Sequence, residues 1–93
     1  EVRVAIVGCG LIGGKRAKSL AARGHTVAVA ADTVHSRAEQ LAKGYPGCEA
    51  SADWRATVSR ADVDAVVVAT INDSLAGITL TAVKAGKHVL VEK

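Results

Sequence analysis

The sequence predicts an α/β fold: a parallel sheet covered by helices on both faces. Three observations predict it. Apolar, β-branched runs alternate with segments of helical periodicity along the whole chain. The apolar residues are almost all Val, Ile, Leu and Ala; a chain that is 49% hydrophobic has one Trp, one Tyr and no Phe. Such a palette suits strands buried on both faces. Finally, the residues able to do chemistry stand where the apolar runs end, at Gly8, Asp32, Thr70 and Glu92-Lys93.

The elements follow in order. Val2–Val7 is a β-branched run that stops at Gly8, so it reads as a buried strand. Leu11–Arg23 reads as a helix. Gly13, Ala17, Leu20 and Ala21 share its inward face, and Lys15, Arg16, Ser19 and Arg23 fall away from it. Gly24 is the stop. Thr26–Ala31 is the second strand, with Asp32 at its carboxyl end. A second helix turns Ala38, Leu41 and Ala42 inward and ends at Gly44 and Pro46. A weak third strand falls near Cys48–Ala50. Asp53 can then cap a short helix in which Trp54, Val58 and Ala61 repeat on one face. Ala65–Ala69 has no polar alternation, so both faces of that fourth strand should be covered. Thr70–Asp73 is a loop, Ser74–Ala85 a helix stopped by Gly86, and His88–Val91 the fifth strand.

Five strands joined through helices imply right-handed crossovers. If the sheet is of the dinucleotide-binding, Rossmann type, it is doubly wound in the order 3-2-1-4-5 and forms a three-layer αβα stack. Ligands then bind at the carboxyl ends of the strands, where the order reverses between strands one and four.

Bulk properties exclude other classes. No apolar run is long enough to cross a bilayer and no signal-peptide layout is present, so the expectation is a soluble, cytoplasmic chain without a membrane partner. The net charge is +3, and its basic residues are dispersed without stacking aromatics, which speaks against nucleic acid. Cys9 and Cys48 form no disulfide framework and lack companions for a metal site. The start without Met and the stop within a pattern suggest a fragment. Residues 1–93 are expected to be one dinucleotide-binding domain, with a C-terminal substrate and oligomerisation domain missing.

Gly8, Gly10 and Gly13 have the spacing G-x-G-x-x-G between a strand and a helix. Gly8 permits the tight turn, Gly10 leaves room for a pyrophosphate, and Gly13 lets the helix approach the sheet. The N–H groups around Leu11 and Ile12 then point at the phosphates. Asp32 follows Gly13 by 19 residues, near the distance expected of a carboxylate that binds the adenosine ribose. It would accept from the ribose hydroxyls and repel a 2′-phosphate, which favours NAD and leaves NADP as the second choice. The plainer reading of Asp32 is a turn residue capping the next helix. Arg37 could reach a 2′-phosphate or simply lie on an exposed helix face.

Ala69, Thr70, Ile71 and Asn72 would pass beside the nicotinamide ribose; taken alone they read as an ordinary polar turn. Lys93 at a strand end can hydrogen-bond a substrate hydroxyl and stabilise developing alkoxide charge. Spacing alone leaves that role level with a solvated terminal Lys.

VAIVGCGLIG, the Asp after VAVAA, VDAVVVATIN and AGKHVLVEK together resemble the glucose–fructose oxidoreductase/inositol dehydrogenase (Gfo/Idh/MocA) family over the whole chain. The resemblance implies an oxidoreductase that moves hydride between NAD(P) and a hydroxyl or keto carbon of a sugar, inositol or related polyol. It implies that Lys93 lies in the active site, that Glu92 lies by the nicotinamide ribose, and that Thr70–Asn72 line the nicotinamide side. It also implies a homo-oligomer built through the missing domain. The chain departs from the family pattern in having Ile71 for a Pro, Leu75 for a His, and Arg16 for another frequent His. A sensor that holds NAD without turnover and an S-adenosylmethionine-dependent methyltransferase are the alternatives.

Overall fold

The computed structural model describes residues 2–70 and 74–92. The elements run β1 (Arg3–Val7), α1 (Leu11–Ala22), β2 (Thr26–Ala31), α2 (His35–Ala42), β3 (Glu49–Ser51), α3 (Trp54–Val58), β4 (Ala65–Val68), α4 (Ser74–Lys84) and β5 (His88–Val91). The strands form one parallel sheet in the order β3-β2-β1-β4-β5, as the sequence predicts.

Alternation along β1 builds two cores. Val4 and Ile6 face α1 and α2, where they meet Ala17, Val27 and Val67. Ala5 and Val7 face the other way, with Val58, Val66, Val68, Ile78 and Ala82. Each buried Val or Ile contributes about 1.5–3 kcal/mol. Ile6 is fully buried at the centre of the sheet, so Ile6→Ala should cost about 2–5 kcal/mol. Val66–Val68 of β4 are buried, as the unbroken apolar run requires. The outer strand β5 is less covered, and Leu90 and Val91 remain partly exposed.

Several boundaries differ from the sequence reading. α1 ends at Ala22, with Arg23 as its C-cap, and Gly24 takes a left-handed φ of +88°. β3 lies one residue later than expected, at Glu49–Ser51. Asp53 caps α3 as expected: its Oδ1 accepts from the N–H groups of Arg55 and Ala56 at 3.1 and 3.2 Å. The helix is only five residues long, however, so Ala61 lies beyond it and is exposed. Leu20, Ala21, Leu41 and Ala42 are half-buried, leaving Gly13, Ala17 and Ala38 as the buried positions of α1 and α2.

Candidate functional site

The carboxyl ends of β1, β2 and β4 converge on a groove of about 340 Å³ lined by Gly8, Gly10, Leu11, Ile12, Asp32 and Thr70, among others. Gly8 leaves β1 with φ +97°, and its N–H donates to the Ala31 carbonyl at 2.8 Å. A Cβ there would lie 2.7 Å from the Ala69 carbonyl carbon, so only glycine lets the turn slide beneath the end of β4. A Cβ on Gly13 would stand 2.0 Å from the Gly8 oxygen. Gly13 is therefore the residue that lets α1 start directly over the turn. Gly10 differs from both, since no protein atom lies within 4 Å of the Cβ it lacks. The space beside it belongs to the groove.

Gly10 is also the N-cap of α1, and no side chain caps that helix or places acid in its first turn. The first N–H groups of a helix have no partner within it. Those of α1, at exposed Leu11 and Ile12, are left to the groove with the positive end of the helix dipole behind them.

Asp32 stands at the end of β2. Its Oδ2 accepts from the Cys9 N–H at 2.8 Å and its Oδ1 from the Val34 N–H at 2.9 Å. The carboxylate thus ties the glycine turn to the segment that opens α2. The Cys9 side chain is disfavoured as a thiolate. Burial, and then the Asp32 charge, push its thiol up to about 12, and its Sγ donates to the Ala31 carbonyl at 3.4 Å.

Thr70 follows β4, and its hydroxyl oxygen is buried with no hydrogen-bond partner among the described residues. A buried hydroxyl left unpaired costs about 1–3 kcal/mol. The groove wall here thus holds a polar atom that the described residues do not satisfy. Ala69 lies beside it, its N–H bonded to the Val7 carbonyl at 2.8 Å.

The sequence reads Trp54 only as a core position and leaves Arg37 between a cofactor contact and an exposed helix face; both line the groove. Trp54 lines the groove while packing against the α3 and α4 core, with the Arg55 guanidinium 5.0 Å from its ring centre. Its place directly after the short loop from β3 is the signal that could have marked it. Arg37 lies on the exposed part of α2 and also lines the groove. Glu92 is not itself among the groove-lining residues; it stands opposite Ala69, which is, and ion-pairs with Arg16. Ile71, Asn72 and Lys93 fall outside the described residues. Among the described residues no cluster of His, Cys, Asp or Glu could hold a metal, and no helix is long and apolar enough to cross a membrane.

Residues 2–93 match the model of the oxidoreductase family with an NAD-binding Rossmann fold. The chain belongs to the Gfo/Idh/MocA oxidoreductase family. It is 38% identical over 95 aligned residues to an inositol 2-dehydrogenase of Mycolicibacterium smegmatis, covering all of this chain and 28% of that protein. Among solved structures, a candidate myo-inositol dehydrogenase from Sinorhizobium meliloti 1021 is 34% identical, with a TM-score of 0.91, over 100% of this chain and 28% of that one. A 3-ketoreductase from Actinomadura kijaniata, in complex with TDP-benzene and NADP, is 35% identical with a TM-score of 0.87, over 99% of this chain and 29% of that one. The chain therefore spans little more than a quarter of the length of the family members it matches. It is similar to their NAD-binding part.

Proposed function

We propose that the chain is the cofactor-binding domain of a dehydrogenase that oxidises a hydroxyl carbon of an inositol, sugar or related polyol. The single observation that carries the reading is the uncapped start of α1, opening into the groove between Gly10 and Asp32. Three further features support a dinucleotide there. The space at Gly10 admits a pyrophosphate, and the N–H groups of Leu11 and Ile12 can donate to it. The Asp32 carboxylate keeps lone pairs free, beyond its two backbone bonds, to accept from a ribose diol. The orphaned Thr70 hydroxyl gains a partner from any polar group seated beside it. The dehydrogenase names of the relatives support the reaction class.

The nicotinamide supplies a two-electron hydride acceptor when bound. In this proposal the residues of the chain bind and orient it. Gly8 to Gly13 anchor the pyrophosphate end, Asp32 selects NAD over NADP, and Ala69 to Asn72 with Glu92 flank the nicotinamide end. The Lys93 ammonium hydrogen-bonds the substrate oxygen, while the carbinol hydrogen leaves as hydride and the hydroxyl proton passes to a base. The main proton-transfer residue and the subunit contacts belong to the C-terminal domain in this reading.

The full-length protein should reduce NAD when given inositols and related polyols, read from the absorbance of the reduced cofactor. Lys93→Met should abolish most turnover and leave the NAD dissociation constant unchanged. Tight S-adenosylmethionine binding without dinucleotide binding would overturn the reading.

A further inference from the structure

We infer that Arg16 is a positioning residue for the nicotinamide end of the site, acting through Glu92; the inference rests on the dinucleotide reading above. Side chains on a helix tilt toward its N-terminus. Arg16, one turn after Ile12, therefore reaches back toward the strand ends although its Cα lies on a face that the helical pattern marks as solvated. There its guanidinium Nε pairs with Oε1 of Glu92.

Glu92 is fixed from the other side. Its N–H donates to the Val68 carbonyl at 2.8 Å, extending the β4–β5 ladder one step beyond β5. In that ladder Ala65 stands opposite His88 and Val67 opposite Leu90, which puts Glu92 opposite Ala69. Ala65, Val67 and Ala69 all belong to the α1 face of the sheet, so Glu92 presents its carboxylate to α1. The ion pair spans the end of β4 and joins the helix whose N-terminus faces the groove to the residue preceding Lys93. The Glu92 side chain is 19% exposed and that of Arg16 47%, so the carboxylate is the sheltered partner and the guanidinium holds it from the solvent side. Without Arg16 the Glu92 carboxylate keeps its burial and loses its counter-charge, and it must turn outward to regain water. Glu92 follows β5 and Asp32 follows β2, with β1 and β4 between them in the sheet, so loss of the pair should be felt by the nicotinamide half of a dinucleotide alone.

The test compares two ligands on the full-length protein: NAD, which fills both halves, and ADP, which fills only the adenosine half. Arg16→Gln should raise the NAD dissociation constant about fivefold, the scale of a partly exposed ion pair, and leave ADP binding unchanged. Arg16→Lys should restore most of the loss. In a Glu92→Gln background, Arg16→Gln should cost nothing further. Equal losses for NAD and ADP would show a general structural role and overturn the inference, as would unchanged NAD binding or full additivity of the two substitutions. Absence of dinucleotide binding by the wild-type protein is a distinct result that would overturn the functional reading, and this inference with it.

Discussion

The backbone N–H of Cys9 donates to Oδ2 of Asp32 across the ends of β1 and β2 at 2.8 Å. Together with the Val34 N–H on Oδ1, this makes Asp32 a clamp on the glycine turn as well as a candidate ribose ligand. The two roles separate by substitution. Asp32→Ala should lower stability by about 1–2 kcal/mol, as expected for hydrogen bonds to a charged, half-exposed acceptor. It should also weaken NAD binding more than NADP binding, because the carboxylate that repels a 2′-phosphate is gone. Calorimetry with both cofactors and a denaturant titration measure the two effects. Equal losses for NAD and NADP would leave Asp32 only the clamp.

The four glycines at the start of α1 should behave differently when given a methyl group. Gly13→Ala should destabilise by about 3 kcal/mol, because its Cβ would collide with a backbone oxygen that cannot move away cheaply. Gly8→Ala combines positive φ with contact against Ala69 and should cost about as much. Gly10→Ala meets no protein atom, so stability should change by less than about 0.5 kcal/mol while NAD affinity falls roughly tenfold. Gly14→Ala is the control: it also meets nothing and lies in a helix, so it should stabilise by about 0.5–1 kcal/mol and leave affinity alone. Thermal melts and NAD titrations of the four variants check the pattern.

At the amino ends of the strands, far from the groove, Arg60 donates to both Glu49 and Asp62 at 2.8 Å. The hydrogen bond from Arg60 holds the Asp62 carboxyl down to about 2, and the same guanidinium lowers Glu49. A carboxyl depressed in the folded state adds stability above its unfolded value near 4, and that stability is lost as pH falls through the folded value. Arg60→Ala should therefore melt slightly below wild type at neutral pH. The gap should narrow from about pH 5 downward and close near pH 2. High salt should narrow it too, since the groups are exposed. A gap independent of pH would mean that Arg60 acts through packing.

What was legible in the sequence is what depends on period and spacing. The alternation of strands and helices, the glycine turn, the place of Asp32 at the end of β2 and the Asp53 cap each follow from local pattern, whereas the strand order follows only once the dinucleotide-binding type is assumed. What stayed hidden depends on how elements meet in space. Arg16 reads as a solvated residue from helical phase, because phase gives the direction of a Cβ and not the reach of a long side chain. Trp54 reads as core from its spacing to Val58, yet a large ring at a helix start can serve both core and groove. The bounds of β3 read one residue early because three residues carry too little alternation to fix them. The length of α3 was overestimated because Ala61 fits the helical period, and period alone does not mark the stop at Ser59.

The hydroxyl of Thr70 gives the last prediction, because its energetics should reverse between the free and bound protein. Without a ligand the buried oxygen lacks a partner among the described residues, so Thr70→Val removes an unsatisfied group and keeps the shape of the side chain. The ligand-free variant should be as stable as wild type, or more stable by up to about 1 kcal/mol. If a bound dinucleotide supplies the missing partner, the same substitution should weaken NAD binding by roughly threefold to tenfold, the value of one net hydrogen bond. Thr70→Ser, which keeps the oxygen and loses a methyl group, should bind NAD nearly as wild type while melting lower. Denaturant titration and NAD calorimetry on the three proteins read both signs. A Thr70→Val variant that loses stability without ligand and keeps full affinity would place the hydroxyl outside the binding function.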